Sequence, residues 1–409
     1  MNVRLFAWRG LAVAACLAAL PAAHATNGYF PHGFGLKAKG MGGASQALTH
    51  DAFAGVNNPA QAAWVGNRFE VGAEIFNPKR SATLATPMGS MTVESDKNVF
   101  LIPEMGYNVG LSNRLGVGIT VYGNGGMNTV YPAVFPGDTN FFCSSATVCG
   151  QGKLGVDLMQ LIVAPTVAYK LTDRHSVGVS PLLVYQSFKA YGLQAFGLPN
   201  QGRDSSTGMG VRLGYLGQLS DSVSVGASFS PKINMSRFKK YGGLFAENGD
   251  FDIPENFSFG VAFKLTPAVQ LALDYQRINY SGVRAIGNAS MANFANGFGA
   301  ANGPGFGWQD VKVAKIGVQW QVNPAWTLRA GYNIGSNPVR SEDVYLNILA
   351  PGVVRSHLTV GATYAWSAKE ELTVAAWHAR RHNVEGTMPA PTRIGMSQNG
   401  FGVQYSRKF

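Results

Sequence analysis

Apolar side chains alternate with small or polar side chains along most of the chain after residue 67. Phe257, Phe259, Val261, Phe263 and Leu265 show this period of two clearly, and it is typical of a strand with one apolar face. The alternating segments cover about residues 68–75, 98–109, 115–122, 156–171, 176–188, 209–219, 223–235, 257–265, 269–278, 311–322, 326–334, 358–366, 372–378 and 401–409. Their length of roughly ten residues and their even number are those of bacterial outer-membrane barrels. The pattern therefore predicts an all-β membrane protein, a 14-stranded antiparallel transmembrane β-barrel over residues 68–409.

The connections between these segments are alternately short and long. The short turns lie at 111–114, 172–175, 220–222, 266–268, 323–325 and 367–370, and the long loops at about 79–97, 124–154, 190–204, 238–253, 282–307, 338–354 and 384–396. Such barrels have short turns on the periplasmic side and long loops outside the cell. With an even strand number, both termini are expected on the periplasmic side.

Residues 26–67 match neither pattern. This stretch is rich in glycine, alanine and asparagine, a composition that suits backbone in tight turns. We expect it to be a small plug in the barrel lumen, here called the hatch. The alternative is a loosely ordered N-terminal tail.

Composition supports an exported membrane protein. Only 13% of residues are charged and 46% are hydrophobic, yet no apolar run after the N-terminus reaches the ~18 residues of a spanning helix. Residues 1–25 resemble a secretory signal peptide, with Arg4 and Arg9 before an apolar stretch and an Ala23-His24-Ala25 cleavage site. Lipoprotein processing at Cys16 is the alternative. The predicted location is the bacterial outer membrane.

The net charge suggests anionic lipid partners, and the cysteines suggest a disulfide bond. The formal charge of +11 becomes +9 when Arg4 and Arg9 are removed (11 − 2), which suits the anionic lipids and lipopolysaccharide of the outer membrane. A nucleic-acid partner is not expected, because basic residues do not cluster with aromatic residues, and we expect a monomer. Cys143 and Cys149 lie in a polar loop and are expected to form a disulfide; a metal site is the weaker alternative.

No catalytic motif, cofactor site or metal site is evident in the sequence. We therefore expect a protein that is not an enzyme, with an outer-membrane enzyme as a remote alternative. A general porin is another remote alternative, but a porin lumen is polar and unobstructed. The expected hatch argues against it.

Apolar residues in two of the long loops are candidates for capturing a hydrophobic ligand, because exposed apolar clusters mark binding sites. The candidates are Phe135, Phe141, Phe142, Phe294 and Phe298. The alternative is that these aromatic side chains only pack against each other to stabilise the loops.

Strand parity places a set of charged side chains in the lumen: Glu70, Glu74, Arg212, Lys264, Asp274, Lys315, Arg329 and Arg355. Arg212, Lys315 and Arg355 are candidates for contacting an anionic head group. The alternative is that these charges pair with each other and with the hatch.

Five segments of the chain are distinctive: TNGYFPHGFGLKAKGMGGA from residue 26, the motif Asn57-Asn58-Pro59-Ala60, DIPENFSFGVAF at 252–263, and residues 308–317 and 326–339. In these segments the chain resembles the FadL/TodX family of outer-membrane transporters for long-chain fatty acids and hydrophobic compounds. The resemblance implies an N-terminal hatch with an Asn58-Pro59-Ala60 motif, loop capture of the ligand, and lateral exit near the third strand. It implies passive uptake, most of all of long-chain fatty acids, with monoaromatic hydrocarbons as the alternative. Fatty-acid carriers of this family have a basic residue before the tenth strand, where this chain has only glycine, proline and phenylalanine at 303–307.

The third segment is also the place where the sequence predicts a break in the wall. It continues into Gly123, Gly125 and Gly126, and prolines interrupt the neighbouring segments at Pro103 and Pro165. Each proline removes a donor from the strand ladder. We expect a kink and a lateral opening here, lined by the hatch around Asn58-Pro59-Ala60. The alternative is a β-bulge without a gap.

Overall fold

A computed structural model describes residues 27–86, 89–145 and 147–409. The expected signal peptide, both processing sites and Thr26 lie outside these residues. The strands in chain order are β1 (Arg68–Thr86), β2 (Gly89–Glu94), β3 (Phe100–Gly110), β4 (Leu115–Asn128), β5 (Thr139–Cys143), β6 (Cys149–Gln151), β7 (Gly155–Lys170), β8 (His175–Tyr191), β9 (Asp204–Gln218), β10 (Val223–Ser230), β11 (Asn256–Lys264), β12 (Val269–Ile278), β13 (Val311–Gln321), β14 (Trp326–Gly335), β15 (Ser356–Ala365), β16 (Glu370–Gly386) and β17 (Thr392–Lys408). The helices are α1 (Leu36–Lys39), α2 (Ala54–Asn57), α3 (Ala62–Val65), α4 (Ala246–Gly249) and α5 (Arg284–Gly287). Short 3₁₀ turns occupy Pro59–Gln61, Gln194–Phe196, Lys239–Tyr241, Tyr280–Gly282, Phe294–Asn296, Ser341–Asp343 and Leu346–Ile348.

Antiparallel pairing of sequential strands closes the sheet into a barrel. β1 pairs with β3 on one side and with β17 on the other, from Arg68 opposite Lys408 to Leu84 opposite Thr392. Within the described residues β2 extends this sheet as a hairpin on β1, and β5 with β6 forms a separate ladder in an outer loop. The other strands of the described chain make the 14-stranded barrel that the alternation predicts.

Two of the predicted long loops are mostly strand. The expected loop at 79–97 contains the end of β1 and all of β2, and the expected loop at 384–396 contains the ends of β16 and β17. In these parts the strands keep their backbone pairing, but their apolar side chains face inward instead of outward. Ala82, Leu84 and Ile394, for example, are buried. The short turns agree with the prediction, for example residues 111–114 between β3 and β4.

The two faces of the wall differ as a membrane barrel requires. In β13, Ile316, Val318 and Trp320 are exposed on the outside, whereas Lys315 is buried inside. Aromatic pairs lie near the short-turn end, such as Trp326 with Tyr364 at a centroid distance of 4.8 Å. Among the helices of the described chain, none is long and apolar enough to cross a membrane.

The hatch fills the lumen. Residues 27–48 and 51–62 are buried throughout, although they form only α1, α2, α3 and turns. The wall accepts this backbone because inward positions carry glycine where it comes closest. A Cβ at Gly116 would overlap the carbonyl of Ala62, and one at Gly226 would overlap the carbonyl of Gln46.

Candidate functional site

Ion pairs hold the hatch to the wall. The ammonium of Lys39 lies 2.5 Å from Glu74 and 3.2 Å from Glu104, and that of Lys37 lies 2.6 Å from Glu371. All these groups are buried. Removing one partner of such a buried pair leaves an uncompensated charge, which costs about 3–5 kcal/mol. The pairs therefore fix the seated position of the hatch.

Most of the charges that parity places inside the barrel are indeed buried. They are Glu70, Glu74, Arg212, Asp274, Lys315 and Arg329. Lys264 is exposed instead, because it ends β11 at the short-turn rim. Asp274 accepts the backbone N–H groups of Ser45 at 2.7 Å and Gln46 at 3.0 Å, so it also holds the hatch.

The three predicted head-group residues do not form one site. Arg212 donates to the carbonyl of Val56, and Lys315 donates to the carbonyl of His32 at 3.0 Å. Both cations therefore satisfy hatch carbonyls. Arg355 does not lie in the lumen as expected. It precedes β15 and is exposed at the long-loop rim, because the chain leaves the ladder there.

The Asn58-Pro59-Ala60 motif lies against β8 and β9. The Asn58 side chain donates to the carbonyls of Gln46 at 2.9 Å and Tyr215 at 2.8 Å, and the carbonyl of Ala60 accepts from the Ser176 hydroxyl at 3.0 Å. The expectation that this motif lines an opening at β4 is wrong. Its asparagine and proline need the close approach that Gly214 permits on β9.

The wall is interrupted between β3 and β4. These strands pair only over Met105–Gly110 and Gly116–Val121. Beyond that point, residues 100–104 of β3 pair with β1 alone, and residues 122–128 of β4 pair with β7 alone. The interruption ends near the rim, where the N–H of Asp96 donates to the carbonyl of Val130 at 2.8 Å. We call the stretch between these two points the window.

β4 bends inward along the window. A bulge interrupts its ladder with β7 between Gly123 and Gly125, and the φ of Gly125 is +156°. Residues 124–128 are buried in succession instead of alternately, so protein covers both faces. A Cβ at Gly125 would overlap the carbonyl of Tyr29. The part of β4 from the bulge onward, residues 124–128, therefore packs against the hatch.

The predicted prolines flank this break. Pro103 lies in the part of β3 that has no partner in β4. Around Pro165, residues 164–166 of β7 have no pairs in the ladder with β8. Gly126 follows the bulge. The sequence thus located the interruption, but the hatch residues beside it are different ones. The ring of Phe34 contacts that of Tyr122 at 4.9 Å, and the carbonyl of Ala52 accepts from Thr120 at 3.3 Å.

The loop aromatics divide into buried and exposed groups. Phe141 packs against Tyr131 at 5.4 Å, and Phe142 stacks on Tyr345 at 4.9 Å. Both phenylalanines are buried, which contradicts their expected role in capture. They stabilise the loops, as the alternative interpretation proposed.

Phe294, by contrast, is exposed, and Phe298 beside it is half-buried, as is Phe196, which is not among the residues expected from the sequence. Phe196 is 5.7 Å from Phe294 and 6.1 Å from Phe298 between centroids. We call these three residues the outer aromatic cluster. Leu198, two residues after Phe196, lines a depression of about 190 Å³ together with Tyr241 and Leu244. Phe135 is 40% exposed and lies apart, in the turn before β5.

A small cavity lies between the outer loops and the hatch. It measures about 20 Å³, and most of its lining is apolar: Tyr29, Phe76, Pro78, Met127, Trp308, Ala350, Pro351, Gly352 and Met396, with Arg80 and Asn128 as polar members. A cavity of this size accommodates about one water molecule. A larger ligand can enter only if Tyr29 or the loops move.

Arg80 is the unusual member of this lining. Its guanidinium donates to Ser95 at 3.1 Å, to Asn98 at 3.2 Å and to the carbonyl of Lys97. Every one of these acceptors is uncharged. In the described residues no carboxylate pairs with Arg80. Its Nε also has no hydrogen-bond partner there, although Arg80 is buried and only 4% exposed. A buried cation without a counter-ion is a ready partner for an anion.

A disulfide joins Cys143 at the end of β5 to Cys149 at the start of β6. It lies in the same outer loop as the buried Phe141 and Phe142. The backbone of Cys143 also exchanges two hydrogen bonds with the hydroxyl of Tyr345, at 3.0 and 2.8 Å. This loop is thereby attached to the loop between β14 and β15.

Comparisons with known proteins agree with this architecture. The family profile described as "Outer membrane protein transport protein (OMPP1/FadL/TodX)" matches residues 22–406. The toluene transporter TodX of P. putida is 20% identical over 92% of this chain and 99% of its own, with a TM-score of 0.69. The toluene transporter TbuX of Ralstonia pickettii is 19% identical over 92% and 99%, with a TM-score of 0.65. A Pseudomonas aeruginosa FadL homologue is 14% identical over 93% and 100%, with a TM-score of 0.72. A comparison with curated proteins found no significant match.

Proposed function

Because the chain belongs to the OMPP1/FadL/TodX family of outer-membrane transporters for hydrophobic compounds, we propose that its cargo is a long-chain fatty acid. The observation that carries this proposal is Arg80, a buried cation without a counter-ion in a mostly apolar cavity. An alkyl chain suits the apolar lining, and a carboxylate suits the guanidinium, which binds it with two parallel hydrogen bonds.

In the proposed path the ligand first adsorbs to the outer aromatic cluster. It then moves beneath the loops, where its carboxylate reaches Arg80 and its chain displaces Tyr29. Tyr29 belongs to the hatch and lies against Gly125 at the bend of β4. Displacing Tyr29 therefore loosens the hatch at the window, and the window is the proposed lateral exit. Passage through the wall needs no energy source, since the ligand moves from water to lipid.

We further propose that the chain consists of a signal peptide, a hatch and a barrel. Residues 1–25 are the signal peptide, residues 26–67 the hatch and residues 68–409 the barrel. The complete path lies within one closed barrel, so a monomer suffices. The role is transport without catalysis, as for the transporters that the chain resembles.

A monoaromatic hydrocarbon is the second candidate. TodX and TbuX are named as toluene transporters, and this chain lacks the basic residue that fatty-acid carriers of the family have before the tenth barrel strand. A neutral aromatic hydrocarbon has no carboxylate that could pair with the guanidinium of Arg80. The two candidates therefore differ in one measurable property.

Equilibrium binding to Arg80→Gln separates the two candidates. With a long-chain fatty acid, we expect affinity about 10- to 100-fold weaker than for the wild type, because a hydrogen bond to a charged group contributes about 1.5–3 kcal/mol. With the methyl ester of the same acid, we expect no change. Arg393→Gln, a rim arginine that lies 3.9 Å from Glu385, is the matched control. Unchanged fatty-acid binding by Arg80→Gln, or tight toluene binding with none of the acid, would overturn the fatty-acid assignment.

A further inference from the structure

Two consecutive arginines point outward from β16. The ladder between β16 and β17 pairs Ala379 with Gln398 and next His382 with Met396, so that Arg380 and Arg381 together face Ser397. Such a bulge places two residues where a regular strand has one. Ala379 before the bulge is fully buried, whereas both arginines are exposed. The bulge therefore presents two guanidinium groups on the outer face of the barrel.

A third arginine lies beside this pair. Arg355 directly precedes β15, and its Nε donates to the carbonyl of Gly335 at 3.4 Å. The three arginines line an open depression of about 370 Å³ together with Ile334, Ser356 and His382. We call Arg355, Arg380 and Arg381 the arginine cluster.

Among the residues that the structure describes, no carboxylate forms an ion pair with the arginine cluster. Arg381 donates to Asn383 at 3.2 Å and to the Ser81 hydroxyl, both uncharged. None of the ion pairs between described residues includes any of the three arginines. The cations of the hatch, by contrast, are paired with carboxylates. Three like charges at one depression repel each other, so an anion there would relieve the repulsion.

The position of the arginine cluster relative to the membrane identifies that anion. On the outer face, Ile334 of β14, Leu358 of β15 and Phe401 of β17 are exposed apolar residues. The next outward residues towards the long-loop end are polar, including Ser356 and Asn399. The arginine cluster therefore lies just beyond the apolar belt, at the level of the head groups of the outer leaflet.

We propose that the arginine cluster binds the phosphate groups of a phosphorylated glycolipid of the outer leaflet, namely the lipid A part of lipopolysaccharide. Arginine binds phosphate with paired hydrogen bonds and remains charged at any physiological pH. Ile334 on the same depression would contact an acyl chain while the guanidinium groups contact the phosphates. The site is on the outside of the wall, so it is independent of the cargo in the lumen.

Binding of purified protein to lipid A tests the proposal. We expect the wild type to bind lipid A at least tenfold more tightly than dephosphorylated lipid A. The double variant Arg380→Gln/Arg381→Gln should lose this tenfold preference, since it loses two charge-assisted contacts with the phosphate groups. The matched control Arg114→Gln/Arg407→Gln removes two exposed arginines at the short-turn end and should bind as the wild type does.

Three results would overturn the proposal. The first is equal binding of lipid A by the double variant and the wild type when both run as folded barrels in unheated gel electrophoresis. The second is equal binding of phosphorylated and dephosphorylated lipid A by the wild type. The third is binding of inorganic phosphate alone as tightly as lipid A, which would indicate an anion site without a lipid.

Discussion

At the scale of single residues, exposure separates the aromatic side chains that can capture a ligand from those that stabilise the loops. Phe294 is 39% exposed and Phe142 is 1% exposed, although both lie in glycine-rich or polar loop sequence. Composition shows that a loop is apolar, but it cannot show which ring covers another. The same limit applies to the inward cations, because parity gives the direction of Arg212 and Lys315 but not the hatch carbonyls that they contact.

Arg80 was missed for a different reason. It falls in the expected loop at 79–97, although Phe76, Pro78 and Arg80 continue one parity and all three are buried. Extending the first alternating segment by five residues, from 75 to 80, places Arg80 inside the barrel. The interruption between β3 and β4 is predictable because glycine and proline act on the backbone itself, and their effect is local and visible in the sequence.

The outer aromatic cluster gives a prediction at this scale. Phe294→Ser with Phe298→Ser should weaken adsorption of a hydrophobic ligand about tenfold or more, because each ring offers apolar area worth about 1.5–3 kcal/mol when fully covered. Phe298 is partly buried against the loop core, so a small loss of thermal stability is expected as well. Ala295→Ser, in the same exposed turn, is the control. The measurement is equilibrium binding of the methyl ester, which does not depend on Arg80; wild-type affinity in the double variant would exclude this cluster as the capture site.

At the scale of elements, the bend of β4 follows from one residue. Asn124 lies at the bulge between Gly123 and Gly125, and its amide donates to Gln160 at 3.0 Å. Removing an extra residue restores the alternation of faces along a strand. The part of β4 after the bulge, residues 125–128, would then return to the wall and could pair with residues 100–104 of β3.

Deletion of Asn124 should therefore close the window. We expect a folded barrel with uptake reduced at least tenfold and with slower amide hydrogen exchange at residues 100–102, which gain ladder partners. Replacing Asn124 with serine keeps the residue count and is the control. Normal uptake by a deletion variant that shows the added protection would mean that the ligand leaves elsewhere.

At the scale of the whole molecule, a rigid barrel surrounds a hatch that must move for a ligand to pass. The barrel is fixed by its strand ladders, which are interrupted at the window and next to Pro165, and the hatch is fixed by buried ion pairs at α1. Near the window, the described residues of α2 form no ion pair with the wall. The carbonyl of Val56 in α2 accepts from Arg212, and Ala52 before α2 is held by hydrogen bonds with Thr120 and Glu70. The arrangement favours movement of the part of the hatch near α2 while α1 remains seated.

A disulfide between the hatch and β4 tests this movement. A Cβ at Gly55 would lie 2.9 Å from the hydroxyl oxygen of Thr120, close to the distance between a Cβ and the partner sulfur in a disulfide. We expect Gly55→Cys/Thr120→Cys to lose uptake when oxidised and to regain it when reduced, with the barrel folded in both states. Thr83→Cys/Thr92→Cys is the control, because its hydroxyl oxygens lie 2.8 Å apart in the hairpin of β1 and β2 and its disulfide leaves the hatch free. Reduction also opens the native Cys143–Cys149 bond, and the control reports that effect alone. Transport at the wild-type rate by the oxidised Gly55→Cys/Thr120→Cys protein would show that α2 stays in place while the ligand passes.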